Sequence, residues 1–133
     1  MTTRSATRCK ACDYSAFPFS FATNLCPMPL IRPSRDTDIA TITAIYAHHV
    51  LHGTGTFETT PPTEAEMATR RADVLSKGLP YLVVEHAGDV VGFAYGNWFK
   101  PRPAYRFSAE DSIYLAPGSA GMGLGRTLLA EFC

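Results

Sequence analysis

The chain has 133 residues, 46% hydrophobic, 11% aromatic and 18% charged, proportions that suit one globular domain with a modest core. Lys+Arg and Asp+Glu balance at 12 each, so no basic excess is present to hold nucleic acid or an acidic membrane surface. No run approaches the roughly 20 apolar residues that span a bilayer, which leaves small molecules or protein as expected partners and the cytoplasm as the expected location.

Residues 1–27, "MTTRSATRCKACDYSAFPFSFATNLCP", set Arg4, Arg8 and Lys10 against the single acid Asp13, with many Ser, Thr and Ala and no helical or strand periodicity. The segment reads as a disordered tail. Its balance suits a transit peptide, and an upstream extension fits as well, because Met28 directly precedes the first patterned strand. Cys9 and Cys12 form a CxxC, half of a zinc site, but no second CxxC or spaced His pair follows closely enough to complete it. With Cys26 and Cys133 they make no disulfide framework, and no metal is expected.

From Met28 the pattern becomes regular. "MPLIRP" predicts a short strand, and after Asp36, Thr37 and Asp38 the positions Ile39, Ile42, Ile45, Tyr46 and Val50 recur at helical spacing up to Gly53. "GTGTFETTPP" predicts a loop, and Thr63 with Glu66 is a Ser/Thr-x-x-Glu capping box that opens a second helix burying Met67, Val74 and Leu75 and stopping at Gly78. "YLVVE" and "VVGFAYG" are β-branched runs split by "HAGD", the chemistry of a hairpin. The loop "NWFKPRPAYRF" leads to the strand "SIYL", a glycine turn and the helix "GRTLLAEF". The order is β-α-α-β-β-β-α, an α/β class domain over residues 28–133 with a mixed sheet.

A glycine-rich turn between a strand and a helix brings backbone N–H groups to an anion. Gly118 and Gly123 have the spacing of a Walker loop, but Leu124 stands where its Lys belongs. The dinucleotide fingerprint needs a third glycine at Arg126. What remains is Gly121, Gly123 and Gly125 opening a helix, a geometry suited to a pyrophosphate at the positive end of the helix dipole, or a glycine-rich helix start with no ligand.

The stretch "SIYLAPGSAGMGLGRTLL" resembles the acetyl-CoA motif of the GNAT N-acetyltransferases. More narrowly, "IRPSRDTDIATITAIYAHHV", "GTGTFETTPPTEAEM", "GLPYLVVE", "FKPRPAYRF" and "AEDSIYL" resemble the phosphinothricin acetyltransferase branch, which acts on methionine sulfone and related amino acids. The resemblance implies acetyl-CoA as co-substrate, a small amino-acid-like acceptor, no metal and a possible homodimer. It implies cofactor contacts from the strand Ile113, Tyr114 and Leu115 and from the loop Gly121, Met122, Gly123, Leu124, Gly125 and Arg126. Where the family loop opens with Arg or Gln this chain has Ala120, which keeps the backbone donors and loses a side-chain contact. The family pattern also continues past its third main helix into a strand, a helix and a closing hairpin. Residues 28–133 match its front portion, so the expectation is an N-acetyltransferase domain, the alternative an incompetent fragment with residual CoA binding.

Acetyl transfer to an ammonium group needs a base, and a carboxylate beside the acceptor supplies one. The resemblance assigns this to Glu110, although an acid before a strand is ordinarily a solvated surface residue; Asp111 reads as surface or as support. A backbone N–H of Ile113–Leu115 would stabilise the oxyanion. Lys100, Arg102 and Arg106, in a proline-stiffened loop, could grip an acceptor carboxylate or stand as solvated charge. Phe57, Trp98 and Tyr105 could wall the acceptor pocket or belong to the core. His48 and His52 share a helix face at ligand spacing, but His49 holds the glutamate position of HExxH and no third ligand is apparent, so they read as cleft or surface residues.

Overall fold

The computed structural model describes residues 28–100 and 102–132. The elements appear in the predicted order: β1 (Leu30–Pro33), α1 (Ile39–His52), α2 (Glu64–Ser76), β2 (Tyr81–His86), β3 (Asp89–Trp98), β4 (Ala109–Leu115) and α3 (Leu124–Phe132), with short 3-10 turns at Asp36–Asp38 and Pro103–Tyr105. The strands form one sheet in the order β1-β2-β3-β4. A mixed sheet was the expectation; the three pairings described are all antiparallel. Two helices, α1 and α2, return the chain from β1 to β2, and connections without a further helix join the other strands, so no parallel crossover arises among the described residues.

The two sheet faces bury separate clusters. Ile39, Ile42, Ile45 and Tyr46 of α1 and Met67 and Val74 of α2 pack on Tyr81, Val83, Phe93 and Tyr114. On the other face Leu124 and Leu128 of α3 pack on Val84 and Ala94, with Ile113, Leu115 and Phe132 around them. Ile42, Phe93, Leu124 and Leu128 are fully buried, each contributing about 1.5–3 kcal/mol relative to exposure. Leu75, expected in the core, is 43% exposed. Met67 and Val74 lie seven apart on one stripe, and Leu75 falls about 100° away from it.

Local chemistry fixes the boundaries. Thr63 Oγ1 accepts from Glu66 N–H at 3.3 Å while Thr63 N–H donates to Glu66 Oε2 at 2.8 Å, the reciprocal cap that starts α2. The β2–β3 turn holds Ala87 and Gly88 at φ 54° and 85°, the paired left-handed conformation of a two-residue hairpin. A bulge follows: Val84 pairs with Gly92 but Glu85 with Val90. Val91 is the extra residue, so Val90 faces the first cluster and Val91 the second.

β3 and β4 are longer than the sequence suggests. Asn97 and Trp98, read as loop, pair with Glu110 and Ala109, because the ladder that zips Gly92 to Leu115 continues until the prolines of the connecting loop end it.

At the N-terminal edge, Arg32 donates to both oxygens of Asp38 at 2.7 and 2.9 Å and to Glu85 at 2.7 Å. This half-buried triad ties β1 to the entry of α1. The Arg32 hydrogen bonds hold the Asp38 carboxyl below its usual range against the opposing effect of burial, and Arg35 N–H adds to them.

Candidate functional site

The glycine turn lies between β4 and α3. Gly118, Gly121 and Gly123 have φ of 82°, 80° and 78°, a left-handed backbone that disfavours any side chain. Gly125, grouped with them by sequence, lies inside the first turn of α3, and its place in the left-handed set is taken by Gly118. A Cβ built on any of these three would meet no heavy atom within 4 Å. Space therefore opens in front of them where a ligand can approach. α3 begins at Leu124, and its first N–H groups, those of Leu124, Gly125 and Arg126, have no partner within the helix. The Leu124 side chain is buried and that of Met122 packs against the same cluster, so these two residues offer backbone to a ligand. Arg126 is exposed beside them.

The second part of the site is the free edge of β4. Ala116 N–H donates to Val91 O at 2.7 Å. Successive strand residues turn their backbone groups to alternate sides, so Leu115 and Ile113 direct N–H and C=O away from β3. His49 meets that edge, its Nε2 lying 2.7 Å from Leu115 O. A carbonyl only accepts, so Nε2 carries the proton.

An open cleft of about 360 Å³ runs along this edge, lined by His49, Gly55, Asp111, Ser112, Ile113 and Tyr114. The Tyr114 ring sits between Tyr46 and His49, with centroids 5.1 and 5.4 Å away, and burial pushes its hydroxyl pKa up to about 12. His49 was not singled out by the sequence reading. The signal was present: Ile42, Ile45, Tyr46 and His49 follow the i, i+3, i+4, i+7 stripe that faces the sheet.

Glu110 is exposed on β4, opposite Asn97. Alternation puts its side chain on the face of Ser112 and Tyr114, the same face as Phe93, Tyr95 and Asn97 on β3. On that face a smaller cavity of about 210 Å³ lies between α2 and the sheet, lined by Tyr46, Met67, Arg70, Asp73, Val74, Tyr81, Tyr95 and Asn97.

The other candidates scatter. Phe57 is fully exposed on the α1–α2 loop. Trp98 falls on the opposite face, in line with Ala94 and with Gly96, whose Cβ position would meet Phe132 at 2.9 Å. Lys100 Nζ stands 5.1 and 5.4 Å from the Phe99 and Tyr105 rings, and Arg106 lies 4.5 Å from the Phe107 ring. Neither these two cations nor Arg102 and Tyr105 line the cavities described above. His48 and His52 have centroids 5.0 Å apart, and the described residues contain no cluster of three ligands able to hold a metal. The Cys9–Cys12 pair, Cys26 and Cys133 lie outside the described residues.

The free strand edge, the left-handed glycines and the helix N-terminus thus follow one another along β4, the turn and α3 of an α/β domain. The Acetyltransferase (GNAT) family pattern matches residues 41–133, and the chain belongs to that family. The chain is 56% identical over 99 residues to the phosphinothricin N-acetyltransferase of Alcaligenes faecalis, a match covering 74% of this chain and 50% of that protein. It is 39% identical over 103 residues to the L-methionine sulfoximine/L-methionine sulfone acetyltransferase of Salmonella typhimurium, covering 76% and 59%. In structure it superposes on the phosphinothricin acetyltransferase of Sinorhizobium meliloti solved with acetyl-CoA, with TM-score 0.75 and 46% identity over 78% of this chain and 57% of that one. The chain thus spans about half to three fifths of the length of these relatives. Among the described residues no helix is long and apolar enough to cross a membrane.

Proposed function

We propose that this chain carries the cofactor-binding and proton-abstracting part of an acetyl-CoA-dependent N-acetyltransferase acting on a small amino-acid-like amine of the phosphinothricin or methionine sulfone type. The observation that carries the reading is the cradle itself: three left-handed glycines facing open space, followed at once by unpartnered N–H groups at the start of α3. Those donors suit the pyrophosphate of CoA, and the outward N–H and C=O of Ile113 and the outward N–H of Leu115 suit the amides of its pantetheine arm, the Leu115 carbonyl being met by His49. That relatives with this architecture are acetyltransferases, one of them solved with acetyl-CoA, supports the same reading.

In this reading Glu110 takes a proton from the acceptor ammonium, directly or through one water, as its exposed place on β4 allows. The freed amine forms a bond to the thioester carbonyl carbon, and negative charge grows on the carbonyl oxygen. An outward N–H of Ile113 or Leu115 is a fixed dipole for that charge and needs no reorganisation. The C–S bond then breaks, the amide remains on the acceptor, and the CoA sulfur leaves as thiolate and takes up, through water, the second proton that the nitrogen gives up on becoming an amide.

The test is release of free CoA thiol when the protein is mixed with acetyl-CoA and L-phosphinothricin or L-methionine sulfone, beside calorimetric titration of CoA alone. Thiol release that depends on the acceptor and falls in Glu110→Gln supports the reading; absence of CoA binding overturns it. A second reading rests on the limited span of the relatives that these residues match: binding of CoA by the 133 residues without turnover. CoA titration with no thiol release would select it.

A further inference from the structure

The Leu115 carbonyl sits where the strand edge and the glycine turn join, and it is already engaged. His49 Nε2–H donates to it at 2.7 Å. The other side of the same peptide group is held as well, because Ala116 N–H, which points opposite to that carbonyl across a trans peptide, donates to Val91 O at 2.7 Å. The Leu115–Ala116 peptide is thus fixed from both edges where the chain leaves β4. Ser119 N–H then closes on Ala116 O at 3.0 Å, with Pro117 and Gly118 between them and Gly118 at φ 82°, the order and backbone of a type II turn. His49 therefore ties α1 to the peptide from which the glycine turn departs.

The imidazole is built into its place. Its ring lies 5.4 Å from that of Tyr114. Gly53 N–H, at the end of α1, donates to His49 O at 2.9 Å, and a Cβ on Gly53 would meet that oxygen at 2.7 Å and His49 Nδ1 at 3.3 Å. Glycine leaves the room that the ring uses. The carbonyl partner also settles the tautomer, since it holds the proton on Nε2.

This contact changes what the edge of β4 offers. A residue at a free strand edge presents its N–H and C=O on the same side, and an incoming amide can use both. Ile113 keeps both groups, whereas Leu115 offers its N–H alone. From the glycine turn toward Glu110 the edge thus presents a lone donor and then a donor with an acceptor. The pantetheine arm carries two amides in series. With the Leu115 carbonyl occupied, the amide nearer the pyrophosphate is held through its C=O alone, and the amide nearer the thiol pairs with Ile113 through both groups. Sliding the arm by one amide forfeits a hydrogen bond.

We propose that His49 is a positioning residue for the CoA arm: by occupying the Leu115 carbonyl it fixes the peptide at the head of the glycine turn and sets the register in which the arm pairs with β4. The proposal rests on the N-acetyltransferase reading. His49 acts through Leu115 and stays on it when CoA binds.

The experiment is calorimetry on wild type, His49→Phe and His49→Gln with CoA and with 3′-phosphoadenosine 5′-diphosphate, the nucleotide half of CoA without the arm. Phenylalanine keeps a ring against Tyr114 and removes the donor, whereas glutamine places an N–H at the same number of bonds from Cα. Expected is CoA affinity about three- to tenfold weaker in His49→Phe, the scale of one net hydrogen bond. Most of that loss should be recovered in His49→Gln, and all three proteins should bind the nucleotide half equally. Equal weakening of both ligands in His49→Phe would trace the effect to the cradle or the fold; that result, or undiminished CoA affinity, overturns the proposal. A second measurement needs no variant. Nitrogen-15 spectra of the His49 imidazole should show the Nε2–H tautomer in the free protein and keep that signal with CoA bound. Loss of the signal on binding means that the arm takes the Leu115 carbonyl itself, which overturns the proposal even where a variant fails to fold. Wild type that binds neither ligand overturns the acetyl-CoA reading, whereas CoA binding that ignores His49 overturns this proposal and leaves that reading standing.

Discussion

Gly123→Ala separates the demands of the fold from those of the ligand, because a matched control exists in the same chain. Gly123 has φ 78° and Gly88 has φ 85°, and a Cβ on either meets nothing within 4 Å. Neither substitution creates a clash, so the cost is conformational alone. Holding an L side chain in the left-handed region costs about 1–2 kcal/mol, and the stiffer unfolded chain of an alanine returns about 0.4–1 kcal/mol. The net is about 1 kcal/mol for each, or about 4–8 °C in Tm for a domain of this size. The functional effects should diverge. Gly88 is in the β2–β3 hairpin, whereas the Cβ at 123 enters the space in front of the α3 N-terminus where the pyrophosphate is proposed to sit. Melting curves and CoA calorimetry on the two variants should give equal losses of stability, with CoA affinity lost only in Gly123→Ala. Unchanged CoA affinity in Gly123→Ala would refute the assignment of the cradle, and equal loss in both variants would trace the effect to the fold.

Glu110→Gln should lower kcat by about 10²–10⁴ at neutral pH with the KM for acetyl-CoA unchanged, since the exposed side chain is distinct from the backbone groups of Ile113, Leu115 and the glycine turn proposed to hold CoA; steady-state kinetics checks both. Asp38→Asn should destabilise by about 3 kcal/mol, because Arg32 loses the carboxylate that accepts two of its hydrogen bonds at a site largely withdrawn from solvent. The Asp38 carboxyl is lowered by Arg32, so its contribution is whole above the unfolded-chain pKa of about 3.9 and is lost as pH falls through the lower folded value. Denaturant melts should therefore show the gap between wild type and Asp38→Asn at pH 7 narrowing below pH 4. Tyr114, raised to about 12 by burial, works in the other direction: its folded form keeps a proton that the unfolded chain gives up near 10, so stability should fall between pH 10 and 12 and fall less in Tyr114→Phe. Leu128→Ala, at a fully buried position on α3, should cost about 2–5 kcal/mol by denaturant melt.

Local patterns in the sequence determined the elements. The stripe Ile39, Ile42, Ile45 and Tyr46 made α1, the Thr63–Glu66 box started α2, and the β-branched runs around "HAGD" made the hairpin, because each depends on neighbours within a few residues. The glycine turn was legible for the same reason: left-handed backbone favours glycine wherever the chain is, even though Ala87 adopts it in the hairpin. Tertiary structure alone decided which residues meet. The extension of β3 through Trp98 came from pairing with β4, which no local propensity records, and the bulge at Val91 set the face on which Tyr95 and Asn97 stand. That face placed Asn97 beside Glu110 and removed Trp98 from it. The contact of His49 with Leu115 spans 66 positions of sequence, and the cavity draws Arg70 from α2, Tyr81 from β2 and Asn97 from β3. Such sites are assembled by strand register and helix docking, and register is a property of the packed sheet, since a shift of one residue would turn every side chain to the opposite face.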